Sequence, residues 1–134
     1  MTGENGYHVV VVGIGAMGGG MARALLTSPN VKTVCGYDKS VDAVNKFYEE
    51  SKQVNKSQSS PPNALSDAIS DQTDFVIISL VNESQCQQVC FGGTNDEPDL
   101  LSIMSKGSCV IMTSTVTGTY EKIRLSWWKF SLFL

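Results

Sequence analysis

The sequence predicts an α/β fold in which helices cover both faces of a doubly wound parallel sheet. Short apolar runs rich in β-branched residues alternate along the chain with segments whose apolar residues recur at helical spacing. The first run contains Val9 to Val12 without interruption, which is typical of a strand buried on both faces of a parallel sheet. We expect an incomplete sheet of about five strands joined by right-handed crossovers.

The first two elements are a strand from Tyr7 to Val12 and a helix that begins at Ala16. A glycine-dense segment, Gly13 to Gly20, lies between and within them, and Ser28-Pro29-Asn30 ends the helix. The inward face of this helix is predicted from apolar residues at helical spacing, namely Met17, Met21, Ala24 and Leu25. The two methionines are therefore expected to pack on the sheet.

A second strand is predicted from Val31 to Tyr37 and is followed directly by Asp38. Ser40 can cap the next helix. The apolar stripe of that helix comprises Val41, Val44, Phe47 and Tyr48. The polar segment from Ser51 to Asn63 is predicted as a surface loop, with room for one short edge strand around Val54.

The second half of the chain continues the same alternation. A short helix over Ala64 to Ser70 precedes a strand over Asp74 to Leu80. Asn82 and Gln85 resemble a capping box that opens a helix ending near Phe91. The next element is a short helix with Pro98 in its first turn and its end at Gly107. Its inward residues are Leu100, Leu101 and Met104. A last strand runs from Cys109 to Met112.

Composition argues against several classes of function. The chain has 134 residues, and 13 acidic against 10 basic side chains do not suit a protein that neutralises nucleic-acid phosphates. The four cysteines include no CxxC pair and the single histidine is His8, so no metal site is predicted. Cys86 and Cys90 are expected to be small buried residues, and His8 is expected to have a surface or strand-end role. With no secretory signal and no run of ~20 apolar residues, a cytoplasmic location with reduced thiols is expected.

The most informative segment is the glycine motif Gly13-Ile14-Gly15-Ala16-Met17-Gly18, a GxGxxG between a strand and a helix. The first glycine permits a tight turn, the second lets the backbone approach a pyrophosphate, and the third lets the helix lie close to the sheet. The N–H groups near Ala16 and Met17, at the positive end of the helix dipole, can hold the anion. This motif predicts a dinucleotide ligand.

An acidic residue stands where the adenosine ribose of such a ligand would lie. Asp38 follows the second strand and can accept hydrogen bonds from the ribose hydroxyls. Its carboxylate would repel a 2′-phosphate, so NAD is favoured over NADP, although Lys39 alongside keeps NADP open.

Alternatives to a dinucleotide site remain. A phosphate loop of the Gly-Lys-Ser/Thr kind is disfavoured because Gly18-Gly19-Gly20 contains no lysine. A methyltransferase-like nucleoside site uses similar glycines and a similar acid, and only the full GxGxxG favours the dinucleotide over it. The glycine turn could also bind nothing, with Asp38 as an ordinary turn or cap residue.

Three motifs together resemble the β-hydroxyacid dehydrogenases, which share a Rossmann-like NAD(P)-binding domain with 6-phosphogluconate dehydrogenase. The glycine motif followed by Met21-Ala22 and Leu25 is similar to the opening motif of that family. The run Asp74 to Asn82 resembles the family's fourth strand and cofactor-contacting turn. The segment Gly107 to Val116, with Thr113-Ser114-Thr115, resembles its fifth strand and Ser-Thr turn. Asn82-Glu83-Ser84-Gln85 and the residues through Gly93 look most like the branch that acts on sugar acids such as L-threonate.

The resemblance implies roles for individual residues. Gly13, Gly15, Ala16, Met17 and Gly18 would contact the pyrophosphate and Asp38 the ribose. The cofactor would also run along Leu80, Val81 and Asn82, and Thr115 would lie near the nicotinamide ribose. Ser114 would be a substrate contact. For Ser114 and Thr115, ordinary strand-end hydrogen bonding is the competing interpretation.

The chain departs from the family pattern after the Ser-Thr turn. Family members continue into an Asp-x-Pro-Val-Ser-Gly stretch, a helix with a catalytic lysine and an all-helical substrate domain, none of which occurs in this sequence. Neither Lys106 nor Lys122 matches that lysine, and Gly118 stands where proline is usual, so no catalytic residue is assigned. We therefore expect residues 1–118 to be a partial NAD(P)-binding domain and residues 119–134, with Trp127 and Trp128, to be a divergent aromatic tail.

The function expected from these features is cofactor binding within an oxidoreductase. Such an enzyme would transfer a hydride between NAD(P) and a β-hydroxy acid, with the small hydroxy acid bound only in a full-length form. This chain alone is expected to bind cofactor without turnover, so whether it is an enzyme stays open. The alternative is a non-catalytic nucleotide-binding or regulatory module that uses the same pocket.

Overall fold

The computed structural model describes residues 6–94 and 96–114, together with the backbone of residues 131–133. Strands and helices alternate over the first four strands, as predicted. In chain order the elements are β1 (Tyr7–Val12), α1 (Ala16–Leu26), β2 (Val31–Tyr37), α2 (Val41–Gln53), α3 (Leu65–Ala68), β3 (Phe75–Ile78), α4 (Glu83–Phe91), α5 (Leu100–Ile103), β4 (Cys109–Met112) and β5 (Ser131–Phe133).

The strands form one parallel sheet in the order β2-β1-β3-β4-β5. Strand β1 lies between β2 and β3 and pairs with both of them. Val11, for example, lies opposite Gly36 on one side and Ile77 on the other. The chain therefore moves outward from β1 first in one direction and then in the other.

Two hydrophobic cores cover the two faces of the sheet, because successive side chains of a strand point to opposite faces. Val9 and Val11 pack with residues of α1 and α2, among them Ala22 and Phe47. Val10 and Val12 face the other core, to which α3, α4 and α5 contribute. The buried residues from these helices are Ala68, Cys86, Cys90 and Leu100. The predicted doubly wound α/β architecture is confirmed.

The prediction for the inward face of α1 was confirmed for Leu25, which packs against the core of Val9 and Val11, and wrong for Met17 and Ala24, which are exposed. Met17 is 70% exposed and Met21 is only half-buried, whereas Gly18, Gly19 and Ala22 are the buried residues of the helix. Hydrophobic periodicity identified the larger side chains, but at Gly18 the close approach of the helix to the glycine turn leaves no room even for a methyl group.

Capping side chains begin the next two long helices. The Ser40 hydroxyl accepts from the Ala43 N–H at 3.3 Å to begin α2. At α4 the Asn82 Oδ1 accepts from the Gln85 N–H at 3.0 Å. The Gln85 side chain accepts from the Val81 N–H at 3.0 Å, so the predicted capping box closes one residue earlier than expected.

Two local predictions differ from the structure. Helix α5 is capped by Asp99, whose Oδ1 accepts from the Ser102 N–H at 2.9 Å, so Pro98 lies before the helix and not in its first turn. Val54 is the C-cap of α2 and does not belong to an edge strand. Because the Lys56 carbonyl accepts from the Val34 N–H at 2.9 Å, the loop still covers part of the free edge of β2.

Strand β5 is the only described part of the predicted aromatic tail. Its backbone pairs with β4 in parallel, with Val110 opposite Leu132. The predicted boundary between residues 118 and 119 falls outside the described residues. None of the helices in the described part of the chain is long and apolar enough to cross a bilayer.

Candidate functional site

A cleft of about 370 Å³ opens where the carboxyl ends of β1, β2 and β3 meet. The chain leaves β1 toward β2 and later crosses to β3 on the other side, so the cleft lies at a topological switch point, the usual ligand site of open α/β sheets. The residues that line it include Gly13, Gly15, Tyr37, Asp38, Lys39, Leu65, Leu80, Val81, Gln88, Glu97 and Asp99.

The glycine turn between β1 and α1 can be built only with glycine at two of its positions. Gly13 has a φ of +89°, and a Cβ there would lie 2.1 Å from the carbonyl oxygen of Ser79. A Cβ on Gly18 would lie 1.7 Å from the Gly13 carbonyl oxygen. Both obstacles are backbone atoms, so these residues let β1, β3 and the start of α1 approach closely.

Gly15 differs, since a Cβ built on it meets no atom of the described residues within 4 Å. Gly15 is the N-cap of α1, makes no side-chain capping bond and is followed by no acidic residue in the first turn. The first N–H groups of a helix have no intrahelical acceptor. The start of α1, with Ala16 and Met17 exposed, therefore suits an anion that supplies the missing acceptors.

Asp38 joins the end of β2 to the glycine turn. Its Oδ2 accepts from the Ile14 N–H at 3.0 Å and its Oδ1 accepts from the Ser40 N–H at 2.9 Å. The residue therefore has the structural role that the sequence left open. Each carboxylate oxygen has a second lone pair, and Asp38 lines the cleft, so it can also accept from a ligand hydroxyl.

The turn after β3 forms the opposite wall of the cleft. Leu80 is half-buried, whereas Val81 is 91% exposed, and both line the cleft. Asn82 is exposed, caps α4 and does not line the cleft, so the structure brings two of the three predicted turn residues to its wall.

Ser114 lies at the end of β4 and contacts this turn. Its hydroxyl donates to the Leu80 carbonyl at 2.7 Å and accepts from the Leu80 N–H at 2.8 Å. This is the strand-end hydrogen bonding that the sequence left as the alternative to substrate contact. Thr115 lies outside the described residues.

Part of the cleft wall was not predicted from the sequence. Leu65 of α3, Gln88 of α4 and Glu97 of the α4–α5 loop all line it. They lie far from the glycine motif in sequence, and nothing in their local pattern indicates a ligand. Only the packing of α3 and α4 on the sheet brings them to the cleft.

The electrostatics of the cleft at the β2 end are acidic. Burial raises the pKa of Tyr37, and the nearby charges of Glu97, Asp38 and Asp67 raise it further. Carboxylates from three separate segments therefore act on one hydroxyl. Among the lining residues Lys39 is the single base, against the acids Asp38, Glu97 and Asp99.

Other candidate groups lie away from the cleft. His8 Nδ1 is 2.7 Å from the Thr33 hydroxyl near the amino end of β1, as expected for a strand-end role. Cys86 and Cys90 are buried, as expected, and burial is the largest of the effects that raise the pKa of Cys90 to about 12. The described residues contain no cluster of His, Cys, Asp or Glu that could hold a metal ion.

Comparison with known proteins agrees with this geometry. A family model described as the NAD binding domain of 6-phosphogluconate dehydrogenase matches residues 8–126. The L-threonate dehydrogenase of Pectobacterium atrosepticum is 28% identical over 116 residues, which are 87% of this chain and 34% of that protein. The chain thus spans about a third of the length of this relative.

Solved structures with the same fold include two enzymes. Prephenate dehydrogenase from Aquifex aeolicus, in complex with hydroxyphenyl propionate and NAD+, is 22% identical with a TM-score of 0.64, over 94% of this chain and 40% of that chain. Reductive aminase from Aspergillus terreus, in complex with NADPH4, cyclohexanone and allyl amine, is 16% identical with a TM-score of 0.63, over 95% of this chain and 40% of that chain. At these identities the likeness shows the fold.

Proposed function

Because the chain belongs to the family of the NAD binding domain of 6-phosphogluconate dehydrogenase, we propose that its cleft holds NAD for a hydroxyacid dehydrogenase. The observation that carries the proposal is the start of α1, which opens on the cleft with neither a capping side chain nor an acid in its first turn. Helices α2 and α4, in contrast, are capped by Ser40 and Asn82. A ligand phosphate would complete the one long helix start that lacks a cap among the described residues.

The proposed position of the cofactor follows from this anchor. The pyrophosphate lies on the glycine turn, against the N–H groups of Gly15, Ala16 and Met17. The adenosine ribose donates its hydroxyls to Asp38, and the adenine lies toward Leu65. In the other direction the cofactor runs along Leu80 and Val81. Exposure of Val81 supports this placement, because a bound ring would cover an apolar side chain that otherwise faces water.

We propose NAD as the preferred cofactor over NADP. A 2′-phosphate would lie beside the Asp38 carboxylate, in a part of the cleft that Glu97 and Asp99 also line. Lys39 supplies one compensating positive charge. The balance is unfavourable for a further dianion, since like charges in a partly buried site repel strongly.

The proposed reaction of the whole enzyme is oxidation of a β-hydroxy acid of the sugar-acid type, the class that includes L-threonate. Bound NAD would accept the hydride from the carbon that bears the hydroxyl, and a general base of the whole enzyme would take the hydroxyl proton as the carbonyl forms. Support comes from the relative that is an L-threonate dehydrogenase. Within the described residues, the only lysine that lines the cleft is Lys39, beside the proposed ribose site, so we expect cofactor binding without turnover by this chain alone.

A reducing compartment such as the cytoplasm suits the domain. Cys35, Cys86 and Cys90 are buried free thiols, and Cys109 is buried as well. Burial raises the pKa of Cys35 to about 12, so this thiol stays protonated and unreactive.

The decisive experiment compares two glycine variants by calorimetric titration with NAD+. Gly15→Ala places a methyl group at the proposed phosphate site, where it meets no atom of the described residues within 4 Å. Loss of a hydrogen bond to a charged phosphate, about 1.5–3 kcal/mol, predicts roughly 10- to 150-fold weaker binding. Gly20→Ala is the matched control, since its Cβ also meets nothing within 4 Å but Gly20 does not line the cleft.

The outcomes are distinct. Wild-type chain that binds neither NAD+ nor NADP+ contradicts the proposal. Equal affinities of the Gly15→Ala and Gly20→Ala chains would show that the cofactor does not lie against the start of α1.

A further inference from the structure

We propose that Ser114 is a positioning residue for the cofactor site, which it serves by holding the backbone of Leu80. This inference rests on the proposed function, because it assumes that NAD lies against the turn after β3. The Ser114 hydroxyl extends the hydrogen bonding between β3 and β4 beyond the last backbone bond of the two strands.

The hydrogen bonds at the ends of β3 and β4 show how the continuation works. The last regular bond between the two strands joins the Thr113 N–H to the Ile78 carbonyl at 3.0 Å. Beyond it, the Ser114 hydroxyl takes the place of a backbone amide and carbonyl together. It accepts from the Leu80 N–H at 2.8 Å and donates to the Leu80 carbonyl at 2.7 Å.

This double contact controls a residue that can move. Leu80 lies beyond the last residue of β3 and before the N-cap of α4, where no helix or strand holds its backbone. Both of its backbone polar groups are satisfied by the one hydroxyl. Without that hydroxyl, Leu80 keeps no backbone hydrogen bond to protein among the described residues and must turn toward water.

Leu80 also contacts the glycine turn. A Cβ built on Gly13 would lie 2.9 Å from Leu80 Cδ2 and 2.1 Å from the Ser79 carbonyl oxygen, so this segment packs directly on the glycine turn. Leu80 and Gly13 both line the cleft. Displacement of Leu80 would therefore change the wall of the cleft and remove support from Gly13.

The hydroxyl proton of Ser114 is used in the hydrogen bond to the Leu80 carbonyl. A serine hydroxyl has one proton to donate and two lone pairs. The proton and one lone pair are used on Leu80. Ser114 is thereby committed to shaping the cofactor site and has no proton left to donate to a substrate oxygen.

The test measures NAD+ affinity of the 134-residue chain and three variants by titration, with amide hydrogen exchange of Leu80 as a second readout. Ser114→Ala removes both bonds, and we expect about fivefold weaker NAD+ binding with faster exchange at Leu80. Ser114→Thr keeps a hydroxyl in the same place and should restore affinity to within about twofold of wild type.

Thr113→Val is the matched control at the same strand end. It removes a hydroxyl that donates to the Ile78 carbonyl at 2.8 Å, but that carbonyl keeps its bond from the Thr113 N–H. We expect a smaller loss of stability than in Ser114→Ala, with NAD+ affinity and Leu80 exchange unchanged.

Each result decides the matter. Wild-type affinity in Ser114→Ala, equal weakening in Thr113→Val, or failure of Ser114→Thr to restore binding would overturn the positioning role while leaving NAD binding intact. If the wild-type chain binds no NAD+, the proposed function fails and the role of Ser114 in it fails as well.

Discussion

The residues of the glycine turn have different roles, although they belong to one sequence motif. Gly13 and Gly18 are required by the protein itself, since a Cβ on either would strike a backbone oxygen. A Cβ on Gly15, in contrast, would meet no atom of the described part of the chain within 4 Å. Asp38 combines both kinds of role, because it holds the Ile14 and Ser40 N–H groups and also lines the cleft.

Substitution of Gly18 should therefore damage folding and not only binding. In Gly18→Ala the new methyl group would lie 1.7 Å from the Gly13 oxygen, so the turn must open. We expect a loss of about 3 kcal/mol or more in the free energy of unfolding, measured by urea denaturation. Gly20→Ala should instead gain up to about 1 kcal/mol, as expected for a helix interior. Equal stability of the two variants would contradict the close approach of α1 to β1.

At the scale of elements, helices α1 and α2 are joined on the surface by a two-bond ion pair. Arg23 Nε donates to Glu50 Oε2 at 2.7 Å, and Arg23 Nη2 donates to Glu50 Oε1 at 3.1 Å. Arg23 lowers the pKa of Glu50 mainly through the hydrogen bond. The pair is partly exposed, so solvent screens it and its contribution is small.

The depressed pKa of Glu50 predicts a pH-dependent effect of Glu50→Gln. At pH 7 the variant should lose about 0.2–1 kcal/mol of unfolding free energy. Because the folded-state pKa lies below that of the unfolded chain, this contribution is complete above the unfolded value of about 4.3 and disappears as pH falls through the folded one. Denaturation at pH 7 and near pH 3 tests this expectation. Glu49→Gln, on the same helix, is the control, and a loss independent of pH would refute the ion-pair account.

At the scale of the whole molecule, the sheet separates two hydrophobic cores of the described residues, one on each of its faces. Ile78 belongs to the core beneath α3, α4 and α5, and Val34 to the core beneath α1 and α2. Both side chains are at most 1% exposed. The domain unfolds as one cooperative unit only if unfolding of one core destabilises the shared strands and, through them, the other core.

Independent packing of the two faces predicts additive effects on stability. Ile78→Val should cost about 0.5–1.5 kcal/mol and Val34→Ala about 2 kcal/mol, from the deleted methyl groups. The double variant should equal the sum to within about 0.5 kcal/mol, with a single transition in urea. Two separate transitions would show that the faces unfold independently.

Much of the fold follows from local pattern. The β-branched runs predicted β1 to β4, and Ser40 and Asn82 predicted the starts of α2 and α4, because strand propensity and capping act over a few residues. The face of α1 was predicted correctly at Leu25 and wrongly at Met17, because packing at a distance is not a local property. Periodicity weights large apolar side chains, whereas the distance between helix and sheet decides whether those side chains fit.

The sequence by itself determined the class of the fold, the glycine turn and the acid after β2, since all three depend on residues that are neighbours in the chain. Tertiary structure alone decided that Ser114 holds Leu80, that Met17 faces water, and that Leu65 and Glu97 complete the cleft. The contact between Leu80 and Ser114, for example, joins residues that are 34 positions apart in the chain. No local pattern encodes such a distance, because it arises only when the helices pack on both faces of the sheet.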